Sequence, residues 1–141
     1  MRKNFGPKPM CYPMPVYIIG TYNADTVTDR AHQIRCYESL RDMNIEICER
    51  YGILRSPNGD AWENVRNDAR FDWELLTRDY HHDGDDEGGQ FLNALVWYEL
   101  FTGKSCLDST YLPTYTIDGA QVTLDANRAK VLAEAAHKAV Y

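Results

Sequence analysis

Residues 88–103 read GGQFLNALVWYELFTG, an apolar run with glycine at both ends. The apolar side chains form a broad helical face, and Gly103 stands where a helix C-cap is expected. This stretch therefore predicts a nearly buried helix.

The chain has 141 residues, near the usual size of one domain, and such a domain buries roughly two-thirds of its unfolded surface. A core of sufficient size is therefore possible.

Working outward from that helix, two further helices are predicted. Residues 30–51 carry apolar side chains at helical spacings, with Gly52 at the expected C-cap, and predict one long amphipathic helix whose apolar stripe faces the core. The segment TLDANRAKVLAEAAHKAV predicts a terminal helix, for which Thr123 is a natural N-cap.

The remaining segments are shorter. PVYIIG (15–20) predicts a short buried strand and GILRSP (52–57) a short strand, and SPNGD predicts a turn after the second. A short helix is expected around 61–67, whereas the proline-rich residues 1–14 should be extended and irregular. A looped stretch with Pro113 and the turn IDGA precedes the terminal helix. The order predicts an α/β fold with few strands and three main helices.

The charge balance disfavours nucleic acid as a partner. The formal net charge is -6, from 21 acidic and 15 basic residues, and no stripe of lysine or arginine is present to neutralise phosphates. No segment approaches the roughly 20 apolar residues that a membrane helix needs. Prolines interrupt the apolar N-terminal part, and no cleavage site follows it, so we expect no signal peptide.

Cysteine usage indicates a reducing compartment. The four cysteines show neither CxxC spacing nor a dense disulfide pattern; they are Cys11, Cys36, Cys48 and Cys106. If Cys36 and Cys48 share one helix, a rise of about 1.5 Å per residue places them roughly 18 Å apart, too far to pair. We therefore expect free thiols and a cytoplasmic location.

The acidic stretch TRDYHHDGDDEGGQF (77–91) holds the candidate chemistry. Asp79 and His82 are three residues apart, so in a turn their side chains can lie on one face and meet. Such a carboxylate can orient an imidazole that takes a proton from a nucleophile. A surface hydrogen bond explains the same spacing equally well.

A metal site is the competing interpretation of this stretch, because imidazoles and carboxylates are both metal ligands. DGDDEG (83–88) resembles the opening of a calcium loop, but position 12, which should be glutamate, is Ala94. There is no HExxH motif, and the acids at 85–87 also suit the start of a helix. We expect neither a metal nor another cofactor.

Several segments taken in order resemble a known family. LRDMNIEICERYGI, GDAWENVRND, LTRDYHHDGDDEGGQFLNALVWYELFTGKS and LAEAAHKAV resemble the C-terminal part of SGNH/GDSL-type hydrolases, in particular a bacterial branch, over residues 38–141. The resemblance implies part of a three-layer α/β unit. It also implies hydrolysis of esters, often acetyl groups on carbohydrates, by a Ser-His-Asp triad. By position, Asp79 matches the orienting acid and His82 the general base, with His81 as the contender.

The family's nucleophile block is not recognisable here. Where a Gly-Asn-Ser turn would follow the first strand, the chain offers Thr21 and Asn23. Four serines lie in contexts that do not match: Ser39, Ser56, Ser105 and Ser109. The expected partner is a small-molecule ester or acetylated carbohydrate if the domain is active. A non-catalytic remnant or an interaction protein is the alternative.

The beginning of the chain resembles a different family. KNFGPKPMCYPMPVYIIGTYNAD, within residues 1–27, is similar to the N-terminus of flavin reductase-like, FMN-binding split-barrel proteins, although the later residues expected to bind the flavin phosphate are absent. A flavin-binding module is thus a third hypothesis. The two resemblances divide the chain into residues 1–29 and 30–141. A partial sheet leaves edges and helix faces uncovered, so we expect marginal stability or a homo-oligomer.

Overall fold

A computed structural model describes residues 10–11, 30–71, 88–117 and 119–141. In chain order the elements within these ranges are β1 (Met10–Cys11), α1 (Arg30–Tyr51), β2 (Leu54–Arg55), α2 (Asn58–Arg66), α3 (Gly89–Thr102), β3 (Thr114–Ile117), β4 (Ala120–Thr123) and α4 (Ala126–Val140). The α/β fold with few strands and three main helices is confirmed. The predicted strand at 15–20 lies outside the described residues.

The two N-terminal strands form a parallel pair. Met10 is in register with Leu54 and Cys11 with Arg55. Parallel neighbours need a long crossover connection, usually helical, and α1 lies between β1 and β2 in the sequence. The pairing corrects the expectation that residues 1–14 are irregular throughout. The pairing provides hydrogen-bond partners for backbone groups of β2.

Helix α1 has its predicted bounds, but its apolar stripe is only partly buried. The stripe residues Ile34, Tyr37, Leu40 and Ile47 are half-buried, and Tyr51 is 60% exposed. The expectation of a core-facing stripe is therefore wrong at the C-terminal end of the helix. The buried side chains that the structure describes on α1 are those of Asn44 and Cys48.

Helix α2 begins earlier than predicted, because SPNGD is a helix start and not a separate turn. Pro57 occupies the N-cap and Asn58 is the first helical residue. Proline has no backbone N–H to satisfy, so it is tolerated at a helix start. Asp60 lies in the first turn, where the helix dipole favours a negative charge.

The main hydrophobic core lies among α2, α3 and α4. Its members are apolar residues from these helices together with Phe71, Cys106 and Leu124. Trp62, Leu92 and Leu132 are the largest apolar side chains at its centre, each with less than 2% of its surface exposed. Trp62 and Phe71 are both buried in this core.

Helix α3 has the predicted glycine boundaries. Gly88 is its N-cap with φ 101°, and Gly103 is its C-cap with φ 66°. Both angles fall in the left-handed region that glycine adopts without a Cβ clash. At Gly88 an added Cβ would also lie only 2.5 Å from Leu132 Cδ1, so this position requires glycine for close packing as well.

The segment around the predicted turn IDGA forms an antiparallel hairpin, where a looped stretch was expected. Strand β3 pairs with β4 from Thr114 opposite Thr123 to Ile117 opposite Ala120. The predicted turn is present, with Gly119 at φ 81°. The predicted N-cap Thr123 is wrong, because it ends β4 and α4 begins only at Ala126. Asp125 is the N-cap and accepts hydrogen bonds from the backbone N–H groups of Asn127 and Arg128.

Among the helices within the described ranges, each is too short or too polar to cross a membrane.

Candidate functional site

The residues predicted to be catalytic lie outside the described residues. This applies to Asp79 and His82 and to the alternative base His81; Thr21, which stands where the family's nucleophile turn would be, also lies outside them. The structure therefore gives no geometry for the Asp-x-x-His pair. It does show that the next element, α3, begins at Gly89.

A second carboxylate and imidazole pair is present in the described part of the chain. His137 Nδ1, from α4, lies 3.0 Å from Oε1 and 3.2 Å from Oε2 of Glu99, on α3. The Glu99 side chain is fully buried, whereas His137 is 34% exposed. Since an ionised carboxylate only accepts hydrogen bonds, Nδ1 carries the proton. The pair links the two helices that form most of the core.

The same carboxylate anchors the loop after α3. The backbone N–H of Cys106 donates to Glu99 Oε1 at 2.6 Å, and the Cys106 thiol donates to the carbonyl of Ala133 at 3.4 Å. One turn further along, Ser109 N–H donates to the Cys106 carbonyl at 3.1 Å. These bonds attach the loop to α3 and α4 at the buried residue Cys106.

The electrostatics of this group follow from burial and hydrogen bonding. Burial disfavours the ionised form of Glu99, but the bonds from Cys106 and His137 outweigh it and hold the pKa of Glu99 below its ordinary value of 4.5. Burial, reinforced by the Glu99 carboxylate, raises the pKa of the Cys106 thiol to about 12. Cys106 is therefore a neutral thiol near pH 7 and a poor nucleophile, because the thiolate is the reactive species.

A pocket of about 530 Å³ lies between α3 and this loop. Its walls include the aromatic rings of Phe91, Tyr98 and Tyr111, with Ala94 and Leu95 between the first two on α3. The loop supplies its polar groups, which are Ser105, Cys106, Asp108 and Ser109. A mainly apolar concave surface with a few polar groups is typical of small-molecule sites.

Three of the four described serines are engaged with their surroundings, whereas Ser39 is an exposed residue of α1. Ser56 is fully buried, donates to Asn58 Oδ1 and accepts from Trp97 Nε1 at 3.1 Å. Ser105 Oγ accepts the backbone N–H of Leu107 at 3.1 Å, and Ser109 Oγ accepts that of Tyr111 at 3.3 Å. Ser56 therefore belongs to a buried polar network, whereas the other two shape the pocket loop. In the described residues, no group of three or more acidic, histidine or cysteine side chains has a metal-binding arrangement.

No known protein family, curated protein or solved structure matches this chain.

The Glu99 and His137 pair was missed in the sequence because its members are 38 residues apart. A signal was nevertheless present. Glu99 is the one charged residue in the apolar run 88–103, and His137 lies in an alanine-rich helix. A charge on an otherwise apolar helix predicts a buried polar partner, since an unpaired buried charge is costly. The sequence could suggest the need for a partner, but only the packing of α3 on α4 identifies it.

Proposed function

We propose that this chain is an SGNH/GDSL-type ester hydrolase-like domain in which Asp79 orients His82 as the general base. The observation that carries the proposal is the ordered resemblance over residues 38–141, of which the Asp-x-x-His spacing is one part. The confirmed α/β class, with a parallel β1 and β2 pair joined through α1, is compatible with a unit of this kind.

The proposed chemistry is acyl transfer. A hydroxyl oxygen attacks the ester carbonyl while His82 takes its proton, and the histidine then returns a proton to the departing alcohol. Water, activated by the same base, releases the acid from the acylated hydroxyl. The substrate class is a small ester, including acetylated carbohydrate. Free Cys48 and Cys106 thiols support the accompanying proposal of a cytoplasmic location.

A non-catalytic remnant is the second candidate, and the contacts of three of the four described serines favour it. The hydroxyl of Ser56 is enclosed by Asn58 and Trp97, and those of Ser105 and Ser109 accept bonds from their own loop. These contacts explain the three serines as structural groups. If the domain turns over esters, Thr21 is the first nucleophile to test, because it follows the predicted first strand.

Hydrolysis of p-nitrophenyl acetate distinguishes the two candidates. We expect a rate that saturates with substrate, is lost in H82A and persists in H81A; D79N should lower kcat by on the order of 10²–10⁴. Saturation is required because any exposed imidazole cleaves this activated ester slowly. If hydrolysis is lost in H81A but not in H82A, the general base is His81. If every protein hydrolyses the ester no faster than buffer alone, the non-catalytic remnant is the remaining candidate.

A further inference from the structure

The described residues that line the pocket beside α3 give it a chemical character of its own, with three aromatic rings and one carboxylate. We propose that it binds a small organic ammonium ion, with the cation against the tyrosine rings and near the Asp108 carboxylate. The inference does not require ester hydrolysis. It rests on the aromatic walls, on the sign of the charge in the lining, and on the way the loop is fixed.

The aromatic walls suit a cation with apolar substituents. The rings of Phe91 and Tyr111 have centroids 6.2 Å apart and planes tilted by 52°, so together they form a corner. Tyr98 lies seven residues after Phe91, which is about two helical turns along the same face of α3. Tyr98 and Tyr111 are 44% and 66% exposed, so ring surface is available to a ligand. Aromatic faces attract ammonium ions through the negative potential of the ring.

The charge of the side chains that line the pocket favours a positively charged ligand. Asp108 is the one acidic or basic side chain among the described residues that line this pocket. A neighbouring pocket of about 360 Å³, which shares Phe91, Ser109 and Tyr111 with the first, is lined by Lys130 instead. A ligand cation is therefore complementary to the pocket with Asp108. An anion would meet an uncompensated carboxylate, which is unfavourable at short range.

The loop that carries Asp108 is held in place before any ligand arrives. Cys106 is bonded through its backbone to Glu99 and through its thiol to Ala133, and Glu99 is held in turn by His137. Ser109 closes the following turn onto Cys106. A pre-ordered wall reduces the entropy that a ligand must overcome on binding. The buried group behind the loop thus has a positioning role for the pocket.

The test compares choline with 3,3-dimethyl-1-butanol, its neutral isostere, titrated into the full chain and followed by NMR shifts of tyrosine ring signals. We expect choline to saturate the shifts and the isostere to bind at least about tenfold more weakly, since charge is the difference between them. D108N and Y111L should each lower the affinity for choline by about tenfold and change the affinity for the isostere less. Y51L, which alters an exposed tyrosine on α1, should change nothing.

Far-UV circular dichroism and melting of each variant establish that the fold is intact before binding is compared. Equal affinity for choline and the isostere would overturn the proposal, because the pocket would then recognise only apolar shape. An unchanged affinity in D108N, or the absence of saturation up to high choline concentration, would also overturn it. Loss of p-nitrophenyl acetate hydrolysis has no bearing on any of these outcomes.

Discussion

Helices α1 and α4 are both long and amphipathic, but they are held in the molecule by different forces. Helix α4 has 15 residues and buries six apolar side chains against α2 and α3. Helix α1 has 22 residues, yet its described buried side chains are Asn44 and Cys48. Among the side chains that the structure describes, the longer helix therefore contributes less to the core than the shorter one.

Polar contacts hold much of α1. Arg30 pairs with Glu63 on α2 and donates to Asn67 Oδ1 at 3.0 Å. Tyr37 donates to Asp60 at 2.5 Å, and burial together with this bond raises the pKa of Tyr37 to about 12. Partly exposed ion pairs contribute only about 0–1 kcal/mol each, less than a buried leucine at about 1.5–3 kcal/mol. We therefore expect α1 to open before the α2, α3 and α4 core.

Matched leucine substitutions should give the largest difference between the two helices. L132A removes a fully buried side chain and should lower the free energy of unfolding by about 2–5 kcal/mol, because a cavity remains in the core. L40A removes a half-buried side chain from α1 and should cost about 1 kcal/mol. Urea unfolding of both variants measures the difference. Equal losses would show that α1 is as firmly packed as α4.

A glycine comparison tests the boundary of the core at the start of α3. G88A should lower the free energy of unfolding by about 2–3 kcal/mol, since left-handed strain is added to a clash with Leu132. G103A has a less extreme left-handed φ, 66° against 101°, and open space around the added Cβ, so it should lose only a smaller strain, about 1 kcal/mol. Thermal and urea unfolding report both losses. The proposed clash is contradicted if G103A is as unstable as G88A.

The helices could be predicted from the sequence because their signals are local. Glycine at 88 and 103 bounds α3, and a regular spacing of apolar residues reveals α1. The hairpin was predictable too, since TYTIDGAQVT joins residues that favour strands through an Asp-Gly turn. It was missed because its turn was recognised without its strands. The partner of β2 was not predictable, since strand pairing joins residues far apart in the chain.

The candidate site shows the same division between local and long-range signals. The pair Asp79 and His82 is visible in the sequence because its members are neighbours, and it stays a prediction. Glu99 and His137 meet only through helix packing, and the pocket lining combines α3 with its following loop. Sequence spacing therefore indicated one possible base, whereas the hydrogen-bonded pair of Glu99 and His137 depends on the packing of α3 against α4.

Acidification should reveal the contribution of that buried pair. The pKa of Glu99 is lowered by folding, so its contribution to stability is present above pH 4.5 and is lost as the pH falls through the folded value. At pH 7, E99Q should lower the free energy of unfolding by about 1–2 kcal/mol. At pH 3 the difference in the free energy of unfolding between E99Q and the unsubstituted chain should be smaller. Urea unfolding at both pH values measures it, with E38Q on α1 as an exposed control. A gap independent of pH would contradict the assignment.

The smallest expected effect isolates the polar attachment of α1. D60N weakens the bond from Tyr37 and the ion pair with Arg55, so amide hydrogen exchange should accelerate along α1. Exchange in α4 should be unchanged, and the global free energy of unfolding should fall by less than about 1 kcal/mol. D42N is the matched control, because Asp42 pairs with its neighbour Arg41 within the same helix. Equal acceleration in α1 and α4 would mean that the two helices open as one unit. If D60N leaves both exchange rates unchanged, apolar contacts alone are sufficient to hold α1. The two helices would then differ only in how much apolar surface they bury.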